Sequence, residues 1–233
     1  MLCMTLPNVE PVRAFESAEI QQAVTELRSR LTAGRRVLLG VAGSPGSGKS
    51  TFSACLADAL GPNSALVVPM DGFHLGNAII DGTPLRQRKG APDTFDVGGY
   101  LSLLKRLVRR DEEVVYAPEF RRTIDEPVAA SLAIPATVPV IITEGNYLLF
   151  TTGGWERVGP LLDEVWYADL DPATRLDRLV DRHVRFGKDR AAAVAWATGT
   201  DERNAALIAA TRERADLIVP ADVIHAIGAS LRR

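Results

Sequence analysis

Cysteine is scarce in this chain: Cys3 and Cys55 are the two in 233 residues, far apart and without a CxxC pair. That fits a reducing compartment and leaves no framework for disulfides or thiolate-bound metal. Cys55 stands among small and apolar residues of an expected helix, where packing is its default role. Long apolar runs are missing too. None reaches membrane-spanning length, and the opening MLCMTLPNVEPVRAF has no basic start followed by an apolar core. The expectation is a cytoplasmic protein with no membrane partner. Neither sign of charge is in excess, since 27 Lys and Arg against 29 Asp and Glu leave a formal net charge of −2. Nothing global therefore points to nucleic acid. Internal repeats and low-complexity tracts are also absent. What is present is an ordinary globular composition, 46% apolar, at a length that suits one domain over 1–233 with a lid. A homodimer is compatible with such a chain.

Residues 16–32 carry Ile20, Val24, Leu27 and Leu31 at helical spacing, and Gly34 follows as a stop. A β-rich run at 37–42 leads into a Gly-rich turn and then a helix through Leu60, and a second short apolar run, 65–70, ends at Asp71. Residues 71–96 are rich in Gly, Pro, Asp and Arg without a sustained period, which reads as a long functional loop. Helical spacing returns at 100–108, and strands are expected near 114–116, at 138–143, 164–170 and 217–219. A charged helix is expected from 172 to about 186, and one or two more within 189–213. Strands alternating with helices give an α/β class with a mostly parallel sheet covered on both faces.

The sharpest pattern is Gly43-Ser44-Pro45-Gly46-Ser47-Gly48-Lys49-Ser50-Thr51, which fits G-x-x-x-x-G-K-[ST] between an apolar strand and a helix. Glycines there let backbone N–H groups turn inward around phosphate oxygens, and the helix N-terminus adds partial positive charge. Lys49 would reach the β- and γ-phosphates, and the Ser50 hydroxyl would hold Mg²⁺, so ATP and Mg²⁺ are the expected cofactors. A glycine-rich turn that binds nothing is the bland alternative, and strand, Lys and tandem Ser-Thr together argue against it. Other P-loop classes lack their signatures. No Asn is followed by Lys, which removes the guanine reader Asn-Lys-x-Asp, and no LSGGQ is present. Asp96-Val97-Gly98-Gly99 fits D-x-x-G without an apolar strand leading into it.

After GSPGSGKST come MDGFH at 70–74, RKGAPDTFD at 88–96, YAPEFRR at 116–122, ITEGNYLL at 142–149 and ATRLDRLVDRH at 173–183. In this order they resemble the phosphoribulokinase, uridine kinase and bacterial pantothenate kinase superfamily, over a stretch from about 37 to 219. The resemblance implies a three-layer, doubly wound P-loop NTPase fold, with a mostly parallel five-stranded sheet in the order 2-3-1-4-5 and a helical lid near 178–192. Asp71 resembles the family's general base. Independently, a carboxylate leaving the carboxyl end of the strand beside the P-loop strand stands where an acceptor hydroxyl meets the γ-phosphate; an Asp-Gly turn is the structural alternative. Glu144 resembles the acid of the family's EG motif near Mg²⁺, and a strand-end cap is its alternative. The acceptor site is expected to include Asp71, Phe73, His74, Arg88, Lys89, Phe120, Arg121 and Glu144.

Arg175, Arg178 and Arg182 recur at spacings of three and four along one side of a helix, interleaved with Asp177 and Asp181. Arg178 and Arg182 match the lid positions that would close over the transferring phosphoryl group. A salt-bridged, solvated face would look the same. Asp201-Glu202-Arg203-Asn204 resembles a stretch near the adenine pocket.

The chain departs from uridine kinases at two places. Gly90 falls where those enzymes carry the acid that holds the ribose diol, and Asp125 falls where a His reads the base. Each lost hydrogen bond would cost roughly 1–3 kcal/mol. Arg-Lys-Gly at 88–90 looks more like the pantothenate kinase pattern. Arg86, Arg88, Lys89, Arg121 and Arg122 bring five cations to the acceptor segments, several of them expected to be solvated. The expected activity is phosphoryl transfer to a sugar, polyol or small hydroxy acid, with nucleoside or pantothenate kinase as the alternative. A slow regulatory ATPase is the rival from another class, and the long polar stretch at 71–96 argues against it.

Overall fold

The structure is a computed structural model that describes residues 22, 24–27, 29 and 35–230. Of the helix expected over 16–32, residues 22, 24–27 and 29 are helical; the others, like Cys3, lie outside the described residues. The central strand β1, Val37–Ala42, is buried throughout. Its side chains alternate between two cores: Leu38 and Ala42 enter one, and Val37, Leu39 and Val41 the other. A strand covered on both faces is therefore apolar at nearly every position. Helix α1, Lys49–Leu60, follows the glycine-rich loop and sends Phe52, Cys55, Leu56 and Leu60 into the second core. Cys55 is thus a packing residue, and burial pushes its thiol up from the ordinary range.

After β2, Ala65–Pro69, residues 71–96 are not an open loop. They form a string of single turns: Met70–Phe73, the one-turn helix α2 at Asn77–Ile80, Pro84–Arg88 and Pro92–Thr94. Turns of this length are too short to leave a 3.6-residue period in the sequence. Pro84 and Pro92 sit at first helical positions, and Thr83 Oγ1 accepts from Leu85 N at 3.2 Å. Helix α3, Val97–Arg109, starts three residues before the expected 100–108 because Asp96 caps it, accepting from Gly99 N at 2.8 Å.

Strands β3, Val114–Arg121, and β4, Glu126–Pro135, form an antiparallel hairpin separate from the main sheet. β3 runs past the expected 114–116, and β4 had no sequence signal, being half exposed and rich in Ala without clean alternation. Then come β5, Val140–Gly145; β6, Glu164–Ala168; α4, Pro172–Arg185; and α5, Arg190–Trp196. A π-helical turn at Ala197–Asp201 leads into α6, Glu202–Ala209, and the chain continues through β7, Leu217–Val219, and α7, Ala221–Ser230. The main sheet runs β2-β5-β1-β6-β7 with every pairing parallel. Counting its strands along the chain, that is the expected 2-3-1-4-5. The register aligns Ala42 with Gly145 and Pro69 with Glu144, which gathers the glycine-rich loop, Glu144 and Asp71 at the carboxyl edge of three adjacent strands.

Candidate active site

The glycine-rich loop is folded tightly against α4. Gly46 has φ +81°, and a Cβ there would come within 2.8 Å of the Arg175 carbonyl oxygen. Arg175 itself is buried, donates to Pro45 O at 3.3 Å and pairs with Glu202, so it clamps the loop rather than facing a substrate. Gly48 caps α1 with no side-chain hydrogen bond, leaving first-turn N–H groups for an anion. Lys49 Nζ donates to Asn146 Oδ1 at 2.8 Å and to Ser44 O at 3.3 Å. Burial lowers the Lys49 pKa; Glu144 and Asp71 oppose that, and Arg182 and Arg122 add to it.

The Ser50 hydroxyl donates to Glu144 Oε1 at 2.8 Å. Glu144 is buried, which raises its pKa, while Lys49 pulls it back. A hydroxyl and a carboxylate in contact are hard oxygen donors. They fit Mg²⁺, which takes one or two protein oxygens and fills its remaining positions with phosphate and water. Among the described residues no group of three or more His, Cys, Asp and Glu side chains gathers into an all-protein metal cage.

Asp71 follows the end of β2, with Arg122 Nη2 3.5 Å from its Oδ2. Burial pushes the Asp71 carboxyl up, but His74 when protonated and the charges of Arg122, Lys49 and Arg182 outweigh it and hold the group below the usual carboxylate range. His74 stacks on Phe95, ring centroids 4.0 Å apart, and lies 4.8 Å from Phe120.

A single cavity of about 580 Å³ brings these groups together. Of the expected site residues, Pro45, Lys49, Ser50, Asp71, His74, Lys89, Phe120, Glu144 and Arg182 line it. Others lie elsewhere. Phe73 is buried against Tyr100, ring centroids 5.2 Å apart; Arg88 pairs with Asp93, and Arg121 sits 3.0 Å from Glu119. Arg178 is not in that lining but lies between the glycine-rich loop and α7, a Cβ on Gly48 falling 3.4 Å from its Nη1 and its Nη2 standing 3.4 Å from His225 Nδ1; Ser44 turns to Tyr167 at 3.4 Å. Of the five acceptor-side cations, Arg86, Lys89 and Arg122 line the cavity. Asp125 lines it too, at φ +54° in the turn between β3 and β4, a conformation Asp tolerates. Asp201 and Asn204, from the stretch that resembles one near the adenine pocket, line this cavity, while Asn146, His183 (2.7 Å from Asp201), Phe186 and Trp196 had no site role expected of them. Asn146 directly follows Glu144-Gly145 and was within reach of that motif; the others come from helical turns with no phosphate or acid signature.

No family model matches the chain. A protein of Schizosaccharomyces pombe provisionally named uridine kinase, C227.14, is 35% identical over 161 residues, covering 66% of this chain and 68% of the relative. YggC of Escherichia coli K12 is 30% identical over 226 residues, 93% of each chain. Among solved structures, one from Silicibacter sp. TM1040, provisionally described as a fructose transport system kinase, superposes with a TM-score of 0.76 at 39% identity, covering 84% of this chain and 98% of that one. With these relatives the chain belongs to the P-loop kinases of the phosphoribulokinase, uridine kinase and bacterial pantothenate kinase superfamily.

Proposed function

We propose that this kinase transfers the γ-phosphoryl group of Mg-ATP to a hydroxyl of a small molecule. The observation that carries the reading is the shared cavity, in which Lys49 and the Ser50–Glu144 pair meet Asp71, Arg122 and Arg182. Asp71, ionised by its cationic neighbours, accepts the hydrogen bond of the acceptor hydroxyl and orients it for in-line attack. The acceptor oxygen bonds to the γ-phosphorus as the bond to the bridging oxygen breaks; ADP leaves with that electron pair, and the hydroxyl proton passes to Asp71 Oδ2. Lys49, Arg122 and Arg182 neutralise the oxygens of the moving group. Ser50 and Glu144 would hold Mg²⁺, which supplies charge neutralisation to the phosphates when bound. The relatives' names give uridine for one and fructose for another, both small molecules with hydroxyls. A regulatory ATPase needs no wall of the kind that His74, Lys89, Phe120 and Asp125 build beyond Asp71.

The test is ADP release from Mg-ATP across a panel of sugars, polyols, hydroxy acids and nucleosides. Stimulated turnover is expected with at least one class. Lys49→Ala should lower that turnover by about 10²-fold or more. Asp71→Asn should lower kcat by about 10²-fold while the KM for ATP stays within about twofold. Near-normal transfer by Lys49→Ala, or loss of ATP binding in Asp71→Asn with transfer intact, would sink the assignment.

A further inference from the structure

The cations beyond Asp71 are already committed. Lys89 Nζ meets Asn77 Oδ1 at 2.8 Å, Asp125 Oδ2 at 2.9 Å and the Asp125 carbonyl oxygen, three acceptors for its three protons. Arg86 is held by Asn77 Oδ1 at 2.9 Å and by Asp125 and Asp81, each at 3.4 Å. Arg122 and Arg182 flank Asp71 and serve the moving phosphoryl group. Lys188 is exposed, 5.0 Å over the Trp196 ring on the lid side. An acceptor carrying its own carboxylate or phosphate would thus meet the carboxylates of Asp125 and Asp201 on the wall, and cations whose protons are in use.

Asn204 is the opposite case. α6 holds it on the cavity wall at 5% exposure, and its side-chain amide makes no hydrogen bond among the described residues. Its polar atoms are open to the cavity rather than sealed in the core, so a ligand hydroxyl can replace water at an amide that no protein group occupies. Facing it is Gly90, at φ +100° and with no side chain; a Cβ there would stand in van der Waals contact with Asn204 Nδ2 at 3.9 Å, so the glycine leaves room for about one methyl group beside the amide. One amide offering both donor and acceptor, carboxylates that accept, and the rings of Trp196 and Phe186 suit hydroxyls and the C–H faces of a carbohydrate. We infer that the Gly90–Asn204 side of the cavity binds a neutral polyhydroxylated acceptor, a sugar or polyol, and that Asn204 is a specificity-determining residue hydrogen-bonded to its hydroxyls. The inference rests on the kinase reading above.

The test uses the full chain with Mg-ATP, following ADP release with D-fructose, D-glucose, sorbitol and glycerol against D-glycerate, D-fructose 6-phosphate and uridine. A neutral sugar or polyol is expected to exceed every other acceptor in kcat/KM by about tenfold or more. With that acceptor, Asn204→Leu should raise the acceptor KM about tenfold, leave the ATP KM within about twofold, and be partly rescued in Asn204→Gln. Because the amide faces the cavity and makes no hydrogen bond to the protein, Asn204→Leu should leave the thermal midpoint about unchanged. A fall of more than about 5 °C would mark a structural role and overturn the assignment of Asn204. A best acceptor that is anionic, uridine as best acceptor, or no response from any neutral acceptor overturns the inference. Failure of the kinase reading looks different: no acceptor of any class stimulates turnover, and Lys49→Ala matches the parent protein.

Discussion

His74 lies among Phe95, Phe120 and the turn that carries Asp71, with Nδ1 buried and without a partner. Burial lowers its pKa to about 4, further than Asp71 and Asp125 raise it, so the ring is neutral at neutral pH. The charges that ionise Asp71 there are consequently those of Arg122, Lys49 and Arg182. This has a consequence for stability. An unfolded chain binds the His74 proton near its ordinary value of 6.5, and the folded chain does not until about 4. Between those values the unfolded state holds more protons, so the stabilisation present above 6.5 is lost as pH falls toward 4. Glu144, raised by burial, tilts the opposite way as it titrates, so the informative quantity is a difference. His74→Phe should flatten the fall of the thermal midpoint between pH 6.5 and 4 relative to the parent protein. Identical slopes in the two proteins would show that His74 is already solvated. Lys49, Ser50, Asp71 and Glu144 were legible in the sequence because backbone motifs place them. The charge state of His74 was not, because it comes from aromatic rings at residues 95 and 120, brought together by folding.

At the scale of elements, the acceptor wall depends on how closely β3 crosses the turn after β2. A Cβ on Gly72 would fall 2.2 Å from the Pro118 carbonyl oxygen, a backbone atom that cannot swing aside. The Asp-Gly pair therefore has a packing reason separate from turn geometry: it lets the hairpin press against the segment that carries Asp71. Gly72→Ala should cost about 1–3 kcal/mol of stability in denaturant unfolding. It should also lower kcat more than ATP affinity, because Asp71 shifts while the glycine-rich loop does not. Parent-like stability and kcat in this variant would mean that the hairpin moves away without consequence. Elements with a strong period or two buried faces, such as β1, α1 and β5, could be read from sequence. The turns of 71–96 and strand β4 could not, since the turns are single and β4 draws its order from pairing with β3.

Across the whole molecule, the order of strands fixes where the chemistry sits, and the segment from α4 to α6 decides how it is covered. The sheet order was legible from the order of motifs, whereas the facing direction of each arginine of α4 depends on how that helix is rotated. Arg182 looks into the cavity, and Arg178 lies between Gly48 of the glycine-rich loop and His225 of α7. Burial lowers the Arg182 pKa and the like charge of Arg122 lowers it further. Arg122 in turn lies 5.8 Å over the Phe186 ring, so the end of α4 meets the hairpin turn through a cation–π contact beside the like charges of Arg122 and Arg182. A triphosphate placed among Lys49, Arg122 and Arg182 would offset the repulsion between those like charges and should draw the segment after α4 inward. At the end of α4 the chain exposes Arg185, Phe186, Gly187 and Lys188, with Gly187 at φ +97°, a ready tryptic site. Mg²⁺ with a non-hydrolysable ATP analogue should slow cleavage after Arg185 and Lys188 by about tenfold at low salt. Protection should weaken as salt rises, because part of the attraction is between partly exposed charges. Arg182→Ala should still bind the analogue but lose most of the protection. Equal cleavage rates with and without bound analogue would mean that the lid does not respond to the donor, and closure would then have to come from the acceptor side.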